Sequence, residues 1–329
     1  MLRTSLRLNN DVTPDQFTRI AVLAEGLGFD QLWVSNDLFW RSAPVLVAAA
    51  AAATTRIELG VGVFNPVSMH VSEIAMAAAS LQEVSHGRFR LGLGAGADRF
   101  LEWAGLEAAP PVARTRRALL ELRALFAGNV PNGWRPEARL RTGPVAVPIY
   151  IGAMGPRMLE LAGELADGVL PLLFPPEHYL AAAERVAAGV RRGGRSLDNL
   201  DVAACVWCSI DDDPDRARRA LAEKIAYYGP SFSPDLLAGA SLTLQDFHPI
   251  EALLLAGRDE EAAELVTPAM LRLGIAGGAQ EVADRCNVLV AAGAGHISFG
   301  PPLGPDPERA VAVLGADVLP AIRAAAGVG

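Results

Sequence analysis

Along the chain, short apolar runs alternate with longer stretches whose apolar positions return at helical spacing. Residues 2–8 alternate polar and apolar positions, the period of a half-buried strand. Thr13-Pro14-Asp15 then supplies a capping hydroxyl and a proline at the first helical position, and Gly26-Leu27-Gly28 closes the helix. The couplet recurs. Strand 31–35 precedes an alanine-rich helix from Ser42-Ala43-Pro44, strand 57–63 a helix over 71–84, and strand 89–93 a helix over 112–126. Strand 148–151 leads into a helix through Leu165, and strand 168–171 into one ending near Gly193-Gly194. Strand 202–210 meets Asp211-Asp212-Asp213-Pro214, which caps a helix to Tyr228, and strand 296–299 precedes a last helix from Asp306-Pro307. Two segments stand outside this rhythm: 128–144, rich in Pro, Gly and Arg, and a mainly helical excursion over 229–277 before a helix at 280–292.

Eight strand-plus-helix units predict an α/β fold with a parallel sheet and crossover helices. Eight is the number that closes a (β/α)8 TIM barrel, and 329 residues suit one with insertions after strands 4 and 7. A doubly wound open sheet is the alternative. The even spacing of short strands, and the lack of a dominant nucleotide fingerprint in the first unit, favour the barrel. No linker divides the chain, so one domain over 1–329 is expected, with insertions at about 128–144 and 229–277.

Composition narrows the function classes. With 51% apolar and 20% charged residues the chain is too hydrophobic for disorder. A net charge of −8 with no basic patch argues against nucleic acid or an anionic membrane as partner. The most apolar run, 43–53, stops at Thr54-Thr55-Arg56, well short of a membrane span. Met1-Leu2-Arg3-Thr4-Ser5 shows no signal region, and three cysteines make no disulfide framework. A cytoplasmic protein acting on a small molecule is the expectation.

In a barrel, chemistry sits where strands end at their carboxyl side. Those positions include Asn9 and Asn10, Asn36 and Asp37 with Trp40, Gly62-Val63-Phe64-Asn65, Gly94-Ala95-Gly96, Gly152-Ala153-Met154-Gly155, Phe174, and Trp207. The Gly152–Gly155 run joins a strand to a helix start, so its amides suit an anion such as a phosphate; a plain tight turn is the competing reading. Gly94 and Gly96 lack the dinucleotide register and suit a place where side chains must stay clear of a flat ring. Asp37, with Trp33, Phe39 and Trp40 nearby in sequence, is either a proton carrier in an aromatic setting or a helix cap. Cys205 and Cys208 lie in a strand pattern, Cys286 on an amphipathic helix, and the five histidines lack ligand spacing, so no metal is expected.

These segments together resemble the bacterial luciferase-like family of flavin- and deazaflavin-dependent oxidoreductases. The stretches that carry the resemblance are AEGLGFDQLWV from Ala24, TTRIELG from Thr54, SHGRFRLGLG from Ser85 and LAGELADGV from Leu161. The tail from His296 to Asp306 is similar to the branch that contains coenzyme F420-dependent methylenetetrahydromethanopterin reductase. The resemblance implies a luciferase-like TIM barrel with the cofactor's tricyclic ring over the strand mouths and a non-prolyl cis peptide, here Gly62–Val63, behind it. It implies that Asn9, Gly62, Val63, Phe64, Asn65, Gly94 and Gly96 serve the cofactor, with Gly152, Ala153, Met154 and Gly155 at its phosphate. Many members carry an Asp-His pair after the second strand, and in those that oxidise alcohols and sugars the histidine takes part. Here that place reads Asn36-Asp37. A reductase is therefore expected, passing hydride from reduced coenzyme F420 to a C=N or C=C bond with Asp37 and Asn36 as its catalytic residues. An FMN-dependent monooxygenase is the alternative. Trp40, Phe174, Trp207, Tyr228 and Phe232 are the expected substrate pocket, and a homodimer through the second and third helices the expected assembly.

Overall fold

Helix starts follow the capping residues of the sequence in the computed structural model, which describes residues 2–96, 98–107, 110–232 and 234–327. The Thr13 hydroxyl accepts the Gln16 N–H at 3.2 Å, and the Asp213 carboxylate that of Asp215 at 3.0 Å. In chain order the elements are β1 (Arg3–Leu8), α1 (Pro14–Gly26), β2 (Gln31–Val34), α2 (Ala43–Ala53), β3 (Glu58–Phe64), α3 (Val71–Val84), β4 (Phe89–Leu93), α4 (Asp98–Trp103) and α5 (Pro111–Phe126). There follow β5 (Ile149–Ala153), α6 (Pro156–Leu165), β6 (Gly168–Pro171), α7 (Tyr179–Arg192), β7 (Asp201–Val202), β8 (Ala204–Ile210) and α8 (Pro214–Tyr228). Then come α9 (Pro234–Gly239), α10 (Leu244–Leu255), α11 (Asp259–Glu264), α12 (Pro268–Leu271), β9 (Ile275–Gly277), α13 (Ala279–Ala291), β10 (His296–Leu303), α14 (Pro307–Val313) and α15 (Leu319–Ala325).

The chain forms two compact units. The larger takes Arg7–Pro171 and Ala183–Ala203, and its strands run in sequential order β2-β3-β4-β5-β6-β7, all parallel. Trp33 stands opposite Gly60 in the β2–β3 register, and a Cβ on Gly60 would fall 2.2 Å from the indole, so that glycine belongs to the tryptophan. Two of the family-like motifs turn out to be scaffold. The Glu25 carboxylate takes the backbone N–H groups of Thr55, Arg56 and Ile57 at 2.6–2.9 Å, tying α1 to the turn before β3. Arg88 donates to the carbonyls of Ala51, Thr54 and Ile57 at 2.9–3.0 Å, closing the same turn from the other side. At the amino ends of the strands, Gln31 donates to Glu58 at 2.8 Å and accepts from Trp33 Nε1 at 2.8 Å, while Tyr150 donates to Asp201 at 2.8 Å. Sequence reading missed this polar network.

The smaller unit takes the chain up to Leu6, Leu172–Ala182 and the chain from Ala204 on, with parallel strand order β1-β10-β8-β9. Its core gathers Phe174, Trp207, Leu221, Ile225, Phe247, Ile250, Met270 and Leu273. His296 is buried and lies 2.8 Å from the Ser5 hydroxyl. The segment expected as one strand over 202–210 is two, β7 and β8, which belong to different units. β10 also runs four residues beyond its expected end at 299: Gly300-Pro301-Pro302-Leu303 stays extended, with a cis Pro301–Pro302 bond and a slip in its pairing to β8. The strand β9 and the helix α4 are too short to show a period and were not anticipated.

Candidate functional site

In the larger unit the carboxyl ends of β2 to β5 carry the expected site. The Gly62–Val63 peptide is cis, as the resemblance implies, and the β3–β4 register slips between Val61 and Phe64. The half-buried Val63 side chain lies against two glycines: a Cβ on Gly94 would sit 2.9 Å from Val63 Cγ2, and one on Gly152 would sit 2.9 Å from Cγ1. This corrects the reason given for Gly94, since the room it leaves is filled by Val63 from the neighbouring strand. Three strand ends are thereby interlocked beneath one bulge. Phe64 is fully buried, and its carbonyl accepts the Gly94 N–H at 3.0 Å. Asn65 bridges two loops, donating to the Ala95 carbonyl and accepting the Val67 N–H at 2.8 Å, and Gly96, at φ +67, lies beside its amide.

After β5, the chain enters α6 through Gly152–Gly155. Gly155 is the N-cap and has no side-chain capping bond; Met154 is 46% exposed, and a Cβ on Gly155 would meet nothing within 4 Å. An open, ten-residue helix of this kind presents its first amides to whatever anion approaches. These features fit a cofactor with a flat ring and a phosphate: a stiff bulge on one side, an uncapped amide cluster on the other.

Asp37 is half-buried at the end of β2. The Ser35 hydroxyl lies 3.0 Å from its carboxylate and 2.9 Å from Asn10 Oδ1, so one proton serves two acceptors. Asn10, 1% exposed, donates to the carbonyls of Asp37 at 2.9 Å and Arg41 at 2.7 Å and accepts the Asp37 N–H at 3.3 Å. The aromatic setting expected for Asp37 divides instead. Trp33 is buried and engaged with Gln31 and Tyr150, whereas Phe39 and Trp40 are 67% and 60% exposed. Asn10 is the residue that sequence reading undervalued; a buried asparagine at a strand end, where backbone polar groups need partners, was the available signal. Asn36 accepts the Ala43 N–H at 3.4 Å, a weak cap on α2, and Asn9 is half-buried.

Of the expected substrate pocket, Trp40 lies in the larger unit and the other four residues in the smaller. Phe174 and Trp207 are core residues there, 3% and 6% exposed, with ring centroids 4.6 Å apart. Phe232 and Tyr228 pack on them, half-buried, and the Lys224 ammonium stands 5.3 Å from the Trp207 ring and 4.6 Å from that of Tyr228. Burial pushes the Cys208 thiol well above its ordinary value, with neighbouring Cys286 adding to it, and pushes Cys286 up to about 12. Neither is a nucleophile at neutral pH. Among the described residues no group of three or more His, Cys, Asp or Glu is placed to hold a metal ion.

Comparison with known proteins follows the same lines. The model of a family described as luciferase-like monooxygenase matches residues 2–296. A 5,10-methylenetetrahydromethanopterin reductase of Archaeoglobus fulgidus is 33% identical over 315 residues, covering 92% of this chain and 94% of the relative. An F420-dependent glucose-6-phosphate dehydrogenase of Nakamurella multipartita is 31% identical, covering 96% and 95%. The solved structure of a coenzyme F420 dependent tetrahydromethanopterin reductase from Methanopyrus kandleri superposes with a TM-score of 0.87 at 28% identity, covering 97% of this chain and 99% of the other. The fold is thus α/β and of the luciferase-like TIM-barrel type.

Proposed function

The chain belongs to the luciferase-like monooxygenase family and is an oxidoreductase of that family, and from this premise we propose that it is a coenzyme F420-dependent reductase of a C=N or C=C bond in a small organic molecule. The observation that carries the reading is relatedness over more than nine tenths of the chain to proteins named as F420-dependent or as methylenetetrahydromethanopterin reductases. When bound, the reduced deazaflavin supplies the hydride. Val63, braced by Gly94 and Gly152, backs the ring, with Gly62, Phe64, Asn65, Gly96 and Asn9 around it. Gly152–Gly155 and the start of α6 hold the phosphate through amides and helix dipole. Reduction of an enone or a neutral imine also requires a proton at the substrate, and Asp37 holds it, oriented by Ser35 and Asn10, whereas a cationic iminium takes the hydride alone. Asp37 at the end of β2, where oxidising members carry histidine, supports reduction over alcohol oxidation. Asn36 steadies the same turn from α2.

The proposal extends to a homodimer through α2 and α3, supported by Val45 and Met76, 58% and 54% exposed on those helices. An anaerobic assay tests the activity. Purified protein with reduced F420 and a panel of cyclic iminium ions and enones is expected to return the oxidised cofactor's absorbance, with no dependence on oxygen. Oxygen uptake driven by NAD(P)H and FMN, with no turnover of reduced F420, would contradict it.

A further inference from the structure

Beside the proposed cradle, the larger unit contains a cavity of about 140 Å3 between the start of α3, the first half of α5 and the 128–144 segment. Its floor is apolar, with Val71 and Ala118 buried. One wall is flat: the His70 and Trp134 rings lie 5.4 Å apart and 30° from parallel. His70 is fixed there because its Nδ1 accepts the Ser72 N–H at 3.2 Å and so caps α3. The remaining wall carries the Arg114 and Arg117 guanidinium groups and the Glu121 carboxylate, which accepts Arg117 Nε–H at 2.8 Å. Two cations against one carboxylate leave the cavity with a formal charge of +1.

This cavity is not isolated from the site. Arg114, whose Nη2 donates to the Pro66 carbonyl at 2.9 Å, also lines a water-sized void of about 10 Å3 together with Asn65, Ala95 and Thr115. Thr115 is 1% exposed, and its hydroxyl has no hydrogen-bond partner among the described residues. A buried hydroxyl in that state is an unspent donor and acceptor. Asn65, Thr115 and Arg114 therefore line one void beside the loops that flank Val63, and Arg114 is shared between that void and the cavity.

We propose that the cavity binds a carboxylate carried on a flexible chain, with the carboxylate on Arg114 and Arg117 and the methylenes against Trp134 and His70. Two sources offer that chemistry: the glutamyl tail of the deazaflavin cofactor, and a free small glutamyl peptide. The first source rests on the proposed F420 function and the second does not.

Binding measured by calorimetry or fluorescence separates them, using F420 with its glutamyl tail, the tail-less deazaflavin chromophore, and free γ-glutamylglutamate. Arg114→Gln and Arg117→Glu are the variants; Arg117 is the safer for folding, its side chain being 70% exposed, and thermal melts check both. Each variant is expected to weaken tailed F420 about fivefold while tail-less binding changes less than about twofold. γ-Glutamylglutamate should compete with the tailed cofactor only. Unchanged affinity for tailed F420, or an equal loss for both cofactor forms, would overturn the proposal. Should wild type bind neither deazaflavin, the proposed function falls by itself. Saturable γ-glutamylglutamate binding that Arg117→Glu weakens about fivefold would then still uphold the cavity, and absence of that binding, or binding the variant leaves unchanged, would overturn it.

Discussion

Glu25 and Asp37 are both carboxylates near the ends of early elements, and their surroundings assign them opposite tasks. Burial raises the pKa of Glu25, but hydrogen bonds from the N–H groups of Ile57, Arg56 and Thr55 and the Thr55 hydroxyl outweigh it and bring the value from 4.5 to about 2. A depressed value means stabilisation that is full above the unfolded pKa near 4.5 and is lost as pH falls from there towards 2. Denaturant melts of wild type and Glu25→Gln should therefore differ by about 1–3 kcal/mol at pH 7, from amides left without an ionised acceptor. The gap should narrow through that acid window, and a gap independent of pH would contradict the assignment. Asp37 instead takes a hydroxyl proton that Ser35 shares with Asn10, and Asn10 also bonds its backbone N–H and carbonyl. With enone substrates, Asp37→Asn is expected to lower turnover about 100-fold while the Kd for F420 shifts less than threefold, since proton transfer contributes to rate and not to cofactor binding. Steady-state kinetics beside a cofactor titration check this, and unaltered turnover removes the role given to Asp37.

At the scale of elements, what was legible in the sequence was local. Thr13, Asp213 and Asp306 cap helices through bonds that span two or three residues, so type and spacing suffice to see them. What could not be read depends on residues far apart in the chain. Nothing near Gly94 or Gly152 reveals that both make room for Val63, and the polar alternation at Gln31 and Glu58 looks like a solvent face when it is a cross-strand network. The break at Ala203 between β7 and β8 is likewise invisible in an uninterrupted apolar run. Two glycine substitutions separate site from scaffold. A methyl on Gly163 of α6 would fall 2.1 Å from the Val186 carbonyl oxygen of α7, so Gly163→Ala should cost about 1–3 kcal/mol of stability, read by denaturant midpoint. Gly152→Ala presses on the Val63 side chain at the bulge, and should weaken F420 about tenfold, or about 1.4 kcal/mol, with little change in that midpoint. The reverse pattern would mean that the Val63 bulge is scaffold alone.

For the whole molecule, strand and helix alternation was enough to reach the α/β barrel class, because that class is defined by connection order and not by side-chain detail. Among the described residues no helix is long and apolar enough to cross a membrane. The proposed assembly predicts a mass near twice 34.6 kDa by light scattering, reduced to the single-chain value by Val45→Glu with Met76→Glu. A single-chain mass for the unaltered protein would contradict it. The central claim concerns the cofactor, and equilibrium titration of the purified, ligand-free protein with oxidised F420 and with FMN tests it most directly. Saturable, one-to-one binding of F420 with no comparable binding of FMN is the predicted result; tight retention of FMN with no response to F420 would contradict the account.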